Sequence, residues 1–271
     1  MSAAPASPVP ASDVVELLFL GSGTSAGVPM IGCRCPVCTS PDPRDRRTRP
    51  SVVVSHGDVR VLVDTTPELR LQCIANDVHR IDAVVYTHAH ADHVMGLDDV
   101  RRFNAVRNGP LDVWADAAAH ETLQRCFGYA FKAPDPSLAL FRPHLVPRTI
   151  GGGPFHVGPM RWTPVPLLHG DMPVLGFRVG RVAYCTDVSR IPDESYPLLE
   201  GLDVLVLDAL QHKKHATHFT LEEAVEEARR IKAKQTWFTH IAHGLSHLAT
   251  NRALPPGMQL AHDGLRVTGR A

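Results

Sequence analysis

The chain lacks the features that mark membrane-spanning and exported proteins. No apolar run reaches the roughly 18 residues that a membrane helix needs, so we expect no contact with a membrane. Residues 1–13 are rich in Ala, Pro and Ser, and they have neither a basic n-region nor an apolar core. They are therefore not expected to act as a signal peptide, and we predict a disordered tail there and a cytoplasmic protein.

A net charge is also lacking, because 28 Lys and Arg balance 28 Asp and Glu. No overall field draws the protein to nucleic acid, so that partner is not favoured, although a local basic patch remains open. The glycines of residues 21–27 follow neither the GxGxxG nor the P-loop spacing, which argues against nucleotide binding there. We interpret them as tight-turn residues near a cleft.

What the chain does have is length and an ordinary apolar content, with 271 residues of which 44% are hydrophobic. We predict a single domain over residues 14–271. Strand-like and helix-like segments alternate in both halves, which favours a four-layer αββα fold with two sheets face to face and helices outside. Periodicity alone leaves other mixed α/β folds open.

Residue patterns give the bounds of these segments. The predicted strands are Val14–Leu20, Ser51–Ser55, Val59–Val63, Ala83–Tyr86, Asp112–Trp114, Met160–Leu168, Val174–Val179, Val182–Cys185, Asp203–Leu207 and Gln235–Phe238. The predicted helices are Pro67–Asn76, Ala117–Cys126 and Leu221–Lys232. Residues 127–149 carry four prolines and no clear period, so they are expected to form an irregular insertion beside a cleft.

The strongest chemical signal is a cluster of ligand-type side chains directly after the strand Ala83–Tyr86. His88, His90, Asp92 and His93 lie within six residues of one another in a chain with 16 His. Imidazole and carboxylate are ligands that zinc, iron and manganese accept. A His-rich solvated loop is the alternative, but this spacing at a strand end favours a metal site.

The pattern resembles the HxHxDH motif of the metallo-β-lactamase superfamily. That family has a further His, an Asp and a His at strand ends, and His169, Asp187 and His240 occur here in the same order. The resemblance implies two divalent metals (Zn, Mn or Fe) and a bridging hydroxide as the nucleophile. The implied ligands are His88, His90 and His169 for the first metal, Asp92, His93 and His240 for the second, and Asp187 between them.

Further segments are similar to one branch of that superfamily. The stretch from Leu20 to Pro29, the cysteines at 33–38, the segment 239–243 and the pair Asp263–Gly264 resemble the cyclic-phosphate phosphodiesterases of the carbon–phosphorus lyase pathway. The likeness to RNase Z, the tRNA 3′-end nuclease, is more distant. The long arm with which RNase Z grips tRNA has no counterpart here.

Three of the six cysteines are clustered as Cys33, Cys35 and Cys38, which indicates a metal site rather than a disulfide. The resemblance supplies His243 as a fourth ligand, giving a closed tetrahedral site for one structural zinc. Three reduced, unliganded thiols are the alternative. Cys73, Cys126 and Cys185 lie in apolar surroundings and are expected to be buried.

His218 lies just before the helix Leu221–Lys232 and matches a His that the family uses near the scissile bond. The resemblance implies that it protonates the leaving alkoxide or stabilises charge, and a local hydrogen-bonding role is the alternative. Together with Asp92 it is our predicted catalytic residue. His212, His215 and the neighbouring lysines are expected to be a solvated loop.

Two further expectations concern surface residues. His247 is interpreted as a helix-surface residue without an assigned role. The arginines at 44, 46, 47 and 49 are expected to lie in an exposed loop, with a phosphate-attracting rim as the less favoured reading.

These observations predict a metal-dependent hydrolase acting on a small or cyclic phosphodiester. Hydrolysis of an ester, thioester or lactone at the same metals is an alternative, as is an RNase Z-like nuclease. A non-catalytic metal-binding protein would lack a ligand, and none is missing here. A homodimer is left open.

Overall fold

Fourteen strands and six α-helices are present in the residues that the computed structural model describes, 13–132 and 141–271. The strands are β1 Val14–Gly21, β2 Ser51–His56, β3 Val59–Val63, β4 Ala83–Val85, β5 Leu111–Ala115, β6 Leu145–Thr149, β7 Phe155–Val157, β8 Met160–His169, β9 Met172–Val179, β10 Val182–Cys185, β11 Val204–Asp208, β12 Gln235–Thr239, β13 Met258–Leu260 and β14 Arg266–Arg270. The helices are α1 Leu69–Ala75, α2 Ala91–Val94, α3 Arg101–Arg107, α4 Ala117–Phe127, α5 Leu221–Ile231 and α6 His247–Ala253.

The strands form two seven-stranded sheets. One runs in the order β14-β1-β2-β3-β4-β5-β6 and the other in the order β13-β12-β11-β10-β9-β8-β7. Each sheet contains a run of parallel strands, β3 to β6 in the first and β10 to β13 in the second, whereas β8, which ends at the site, pairs antiparallel with β7 and β9. Carboxyl ends of parallel strands gather at one edge of a sheet, so the loops after them lie close together.

The core has three layers of apolar side chains. One cluster fills the space between the two sheets and includes Trp162, Phe177 and Tyr184. A second packs the other face of the second sheet against α5, and a third packs the other face of the first sheet against α1 to α4. This is the predicted αββα arrangement, which is confirmed.

Helix α5 shows why its bounds were readable from sequence. Thr220 accepts a hydrogen bond from the Glu223 amide, and the Glu223 side chain accepts one from the Thr220 amide, which completes a capping box. Lys232 adopts a left-handed conformation with φ 59° just past the last turn. The helix therefore ends at Ile231, one residue before the predicted end.

The predicted irregular insertion over residues 127–149 is wrong at its end. Residues 145–149 form β6, which pairs in parallel with β5 at the edge of the first sheet. Pro147 hid this strand, because a proline cannot donate to a ladder and is tolerated only on an edge. Residues 133–140 of the insertion, and residues 1–12 of the predicted tail, lie outside the described residues.

Three predictions about exposure are also wrong. Arg47 is 1% exposed, because its guanidinium is bound inside the protein rather than in a solvated loop. Cys126 is exposed on α4, whereas Cys73 and Cys185 are buried as expected. His247 begins α6 but is 4% exposed. Among the described residues, no helix is both long and apolar enough to cross a bilayer.

Candidate functional site

Loops at the carboxyl ends of the strands carry the site. The loop after β4 contains His88 and leads through His90 into α2, whose first turn holds Asp92 and His93. His169 ends β8, Asp187 follows β10 and His240 follows β12. Asp187 and His240 have left-handed backbones, with φ 53° and 57°. Such conformations are costly for residues other than glycine and concentrate at functional sites.

All seven predicted ligands meet in two groups that share one carboxylate. In each group the ligand atoms lie within 4.8 Å of one another. The groups are His88, His90, His169 and Asp187, and Asp92, His93, His240 and Asp187. Asp187 Oδ1 lies 3.2 Å from His93 Nε2, and Asp187 Oδ2 lies 3.7 Å from His88 Nε2. Asp187 is therefore positioned to bridge two cations.

Hydrogen bonds fix the tautomers of three of these imidazoles. His93 Nδ1 donates to Asp64 Oδ2 at 2.7 Å, and His169 Nδ1 donates to the carbonyl of Thr217 at 2.6 Å. The Thr87 hydroxyl donates to Asp64, so it accepts from His88 Nδ1, which lies 2.9 Å away. In each ring Nδ1 is the hydrogen-bonded nitrogen, so Nε2 is the nitrogen that would face a metal ion.

Asp64 is a functional residue that the sequence reasoning missed. Its carboxylate is fully buried and accepts hydrogen bonds from His93, from the Thr87 hydroxyl and from the Thr87 amide. Its left-handed φ of 63° directly after β3 is the same signature as at Asp187 and His240. A lone Asp after a strand carries no such signal in the sequence.

Unpartnered polar atoms show that the donor set fits metal ions. The Nε2 atoms of His88, His93 and His240 are buried and have no hydrogen-bond partner among the described residues. Leaving such atoms unpaired costs free energy, whereas coordination to a cation would satisfy all three. Neutral imidazoles and carboxylates suit Zn, Mn and Fe alike.

The electrostatics of the groups also favour cations. Burial lowers the pKa of His88 well below its usual range, so this imidazole is neutral. Burial raises the pKa of Asp187, but the nearby His240 and His93 outweigh it and hold that pKa well below the ordinary value. Burial likewise lowers the pKa of His240, and Asp187 and Asp92 raise it overall to about 9. Without metal, protons on imidazoles balance the buried carboxylates, and divalent cations would replace those protons.

His218 lies directly beside the ligands. It is 7% exposed, and its ring lies 4.4 Å from that of His240 and 4.5 Å from that of His169, measured between centroids. Its Nδ1 donates to Asp208 Oδ2 at 2.6 Å. Asp208, which ends β11, was also missed by the sequence reasoning. It holds Nδ1 of the ring, so Nε2 is the nitrogen that Asp208 does not engage.

The glycine-rich loop after β1 packs against the segment that carries His240. The Asp263 carboxylate accepts hydrogen bonds from the amide and hydroxyl of both Ser22 and Thr48. The Ser22 carbonyl accepts the amide of Ile241, the residue after His240. Gly21 is required here, since a Cβ would lie 2.0 Å from the carbonyl oxygen of Arg49.

The three clustered cysteines meet His243 as expected. The Sγ atoms of Cys33, Cys35 and Cys38 lie 3.2, 3.3 and 3.6 Å from His243 Nδ1. Tetrahedral zinc with bonds of about 2.0 Å to nitrogen and 2.3 Å to sulfur sets neighbouring ligand atoms roughly 3.5 Å apart. A hydrogen bond from the Cys38 amide helps lower the pKa of Cys35 to about 6. The four side chains form a closed site next to His240.

The fold and the site together define a class of protein. Residues 59–241 match the Beta-lactamase superfamily domain, and the chain belongs to that superfamily. It is a metal-dependent hydrolase of the metallo-β-lactamase fold. The predicted resemblance to this superfamily is therefore confirmed.

Three proteins illustrate how similar the chain is to individual relatives in sequence and in fold. The chain is 45% identical to a diphosphatase from the PhnP family over 95% of this chain and 98% of that one, with a TM-score of 0.89. It is 33% identical to coenzyme PQQ synthesis protein B of Methylobacterium sp., and the match covers 72% of this chain and 72% of that protein. Human tRNase Z, short form, shares the fold at 18% identity and a TM-score of 0.66, covering 93% of this chain and 98% of that chain.

One curated relative is much longer than this chain. It is the octanoyltransferase of Porphyromonas gingivalis, with 34% identity over 257 residues. The match covers 93% of this chain but 51% of that protein, so the chain spans about half the length of this relative.

Proposed function

We propose that the chain is a phosphodiesterase that hydrolyses a small or cyclic phosphodiester with two divalent cations. The observation that carries the proposal is the pair of ligand groups sharing Asp187, with the Asp208–His218 pair directly beside them. The two ligand groups can hold cations that activate water. The Asp208–His218 pair can supply a proton to a poor leaving group. Thioester hydrolysis at the same cations has less need of such an acid, because a thiolate departs more readily than an alkoxide.

The residues divide the work as follows. His88, His90 and His169 would hold one cation, Asp92, His93 and His240 the other, and Asp187 both. When bound, the two cations would make water nucleophilic near neutral pH and offset the negative charge of the phosphate. Asp92 would also accept a proton from the attacking water. His218, with its ring oriented by Asp208, would donate a proton from Nε2 to the departing alkoxide oxygen.

A second candidate is hydrolysis of a diphosphate bridge, which the 45% identical PhnP-family diphosphatase favours. Each phosphorus of a substituted diphosphate carries one ionised oxygen and two bridging oxygens, as in a phosphodiester. The same cations would therefore act on both. The difference lies in the leaving group, because a phosphate departs without help and an alkoxide needs a proton.

The experiment compares the metal-loaded protein on bis-p-nitrophenyl phosphate, on a p-nitrophenyl ester and on a panel of cyclic and linear phosphodiesters. We expect turnover of the phosphodiesters, and Asp187→Asn should abolish it. Hydrolysis of the ester with no turnover of any phosphorus substrate would refute the proposal and favour the ester, thioester or lactone alternative. Processing of tRNA at rates above the small substrates would favour the nuclease.

We also propose that Cys33, Cys35, Cys38 and His243 bind one structural zinc. The support is the donor set, the near-tetrahedral spacing of its atoms and the absence of an open position for substrate. A cytoplasmic location, a single domain and a homodimer stay predictions.

A further inference from the structure

The segment between β11 and α5 forms one wall of the site. We call residues 211–217 the rim loop. Its last residue, Thr217, accepts a hydrogen bond from His169 Nδ1 at 2.6 Å through its carbonyl, and a Cβ at Gly170 would lie 3.0 Å from its methyl carbon. At its first residue, Gln211 forms an isolated bridge with Thr220. The rim loop is therefore fixed against a proposed metal ligand.

His215 is the rim-loop residue that lies beside His218, with ring centroids 5.2 Å apart. The backbone amide of Thr217 donates to His215 Nδ1 at 3.4 Å, and the Thr217 hydroxyl lies 3.2 Å from the same atom. A backbone amide can only donate, so Nδ1 must be the acceptor and the ring proton must reside on Nε2. His215 is exposed, so an N–H donor is accessible from solvent directly beside His218.

The other polar side chains of the rim loop are differently engaged. His212 Nδ1 forms a hydrogen bond of 2.6 Å with Glu222, and the Lys214 ammonium pairs with Glu223. Glu222 and Glu223 lie in the first turn of α5. Lys213 is exposed and adds a positive charge to the same loop. His215 is thus a donor of the rim loop that lies beside His218 and has no carboxylate partner among the described residues.

We propose that His215 is a specificity-determining residue that donates its Nε2–H to an anionic oxygen on the leaving-group side of the substrate. It would favour substrates whose leaving group is itself a phosphoryl group, as in a substituted diphosphate. The inference rests on the proposed function. The ring of His218 contacts those of His169 and His240 on the ligand side and that of His215 in the rim loop, so a leaving group that extends past His218 can reach His215.

The hydrolysis that this contact assists is balanced. The oxygen of water forms a bond to phosphorus, and the bond to the bridging oxygen breaks with its electron pair on that oxygen. The departing phosphate keeps the negative charge, one proton of the water passes to Asp92, and the other stays on the new oxygen of the product. His215 holds the departing group by a hydrogen bond and takes no proton itself.

The test uses two substrates that differ only on the leaving-group side. One is the methyl ester of AMP, which releases methanol, and the other is AMP joined through a diphosphate bridge to a methyl group, which releases methyl phosphate. In His215→Ala we expect KM for the diphosphate to rise roughly 10- to 100-fold, the range for a hydrogen bond to a charged group. The kcat on that substrate and both constants on the methyl ester should stay near the parent's.

Two further variants make the result specific. His212→Ala removes an exposed imidazole of the same rim loop and should leave both substrates unchanged. His215→Gln keeps an N–H donor and should recover part of the lost affinity for the diphosphate. A variant counts in this test only if its melting temperature and metal content match those of the parent. If His215→Ala fails to fold, His215→Gln is the variant to be measured.

The outcomes separate the two proposals. An equal loss on both substrates, or no loss on the diphosphate, would overturn the role of His215 while leaving the hydrolase proposal intact. If the parent hydrolyses neither these nor any other phosphorus substrate, the proposed function fails instead.

Discussion

At the scale of single residues, the site combines side chains that face the cation positions with side chains that orient them. Asp64, Thr87 and Asp208 are not among the seven proposed ligands, but each holds an imidazole by a hydrogen bond of 2.6–2.9 Å. These bonds decide which ring nitrogen carries the proton. Removing one partner therefore changes chemistry as well as stability.

His218→Ala should slow hydrolysis of an alkyl phosphodiester by roughly 10²–10⁴, the usual contribution of a general acid. A p-nitrophenyl phosphodiester should be affected far less, because nitrophenolate departs without a proton. The measurement is kcat/KM for both substrates in parent and variant, with metal analysis alongside. An equal loss on both would indicate charge stabilisation, and a loss of metal would make His218 a ligand.

Arg47→Met should destabilise the protein by about 3–5 kcal/mol, because it leaves a buried carboxylate without its partner. The guanidinium donates to Asp45 at 2.9 Å and to the carbonyls of Ala242 and Leu245 at 3.1 and 2.7 Å. These contacts brace the segment between His240 and α6. The free energy of unfolding from urea titration measures the effect.

The control is Arg44→Met, whose ion pair with Asp42 lies at the surface with the arginine side chain 44% exposed. We expect a change of about 1 kcal/mol or less there. Similar losses in the two variants would contradict the bracing role of Arg47.

His247→Gln should reduce the loss of folding stability that occurs when the pH falls from 6.5 to 4. Burial lowers the pKa of His247 to about 4 from the ordinary 6.5. Between these values the unfolded chain binds a proton that the folded chain does not, so stability falls as pH drops through this window. Chemical unfolding at pH 6.5 and pH 4 should show a smaller drop in the variant. His156→Gln, at an exposed position on β7, should behave like the parent.

At the scale of elements, the loops that follow strand ends carry the chemistry and the strands hold them in place. The Cys33–Cys38 loop has no helix or strand of its own, and its contact with His243 ties it to the segment after β12. A loop of this kind depends on its crosslink, because it buries little apolar surface.

Cys35→Ser should therefore lower the melting temperature and remove one zinc per chain, while the catalytic cations remain. A closed thiolate site contributes folding free energy directly. Cys126→Ser, on the exposed face of α4, should melt like the parent and keep its zinc. A parent-like melt of Cys35→Ser would refute the structural zinc. Asp92→Ala should show the reverse pattern, with turnover lost and the fold retained.

At the scale of the whole molecule, the two sheets meet so that the ends of β4, β8, β10 and β12 converge on one place. Because each catalytic cation would take ligands from both sheets, metal occupancy depends on the correct packing of one sheet against the other. We expect three tightly bound metals per chain, two at the site that Asp187 bridges and one at the cysteines.

Metal analysis of gently purified protein tests this stoichiometry. Asp187→Asn should reduce it toward one, because both catalytic positions share that carboxylate, whereas Cys35→Ser should reduce it to two. A content at or below one metal in fully active parent protein would contradict the two-metal mechanism.

Much of the fold was readable because local patterns and tertiary packing agree. The β2–β3 hairpin, α5 with its capping box and β10 follow the predicted bounds closely. The weaker elements β6, β7, β13 and β14 were not predicted. They are short or lie near the sheet edges, and most of what stabilises them is pairing with a neighbouring strand rather than their own periodicity.

The sequence by itself determined the superfamily and the ligand types, because His88, His90, Asp92 and His93 are close in the chain and a strand end limits where they can point. Only the tertiary structure decided which residues orient the imidazoles of the site. Asp64 and Asp208 orient His93 and His218 across sequence gaps of 29 and 10 residues. Buried Arg47 also became visible only in the fold, since whether a charge is exposed or paired depends on contacts between distant segments.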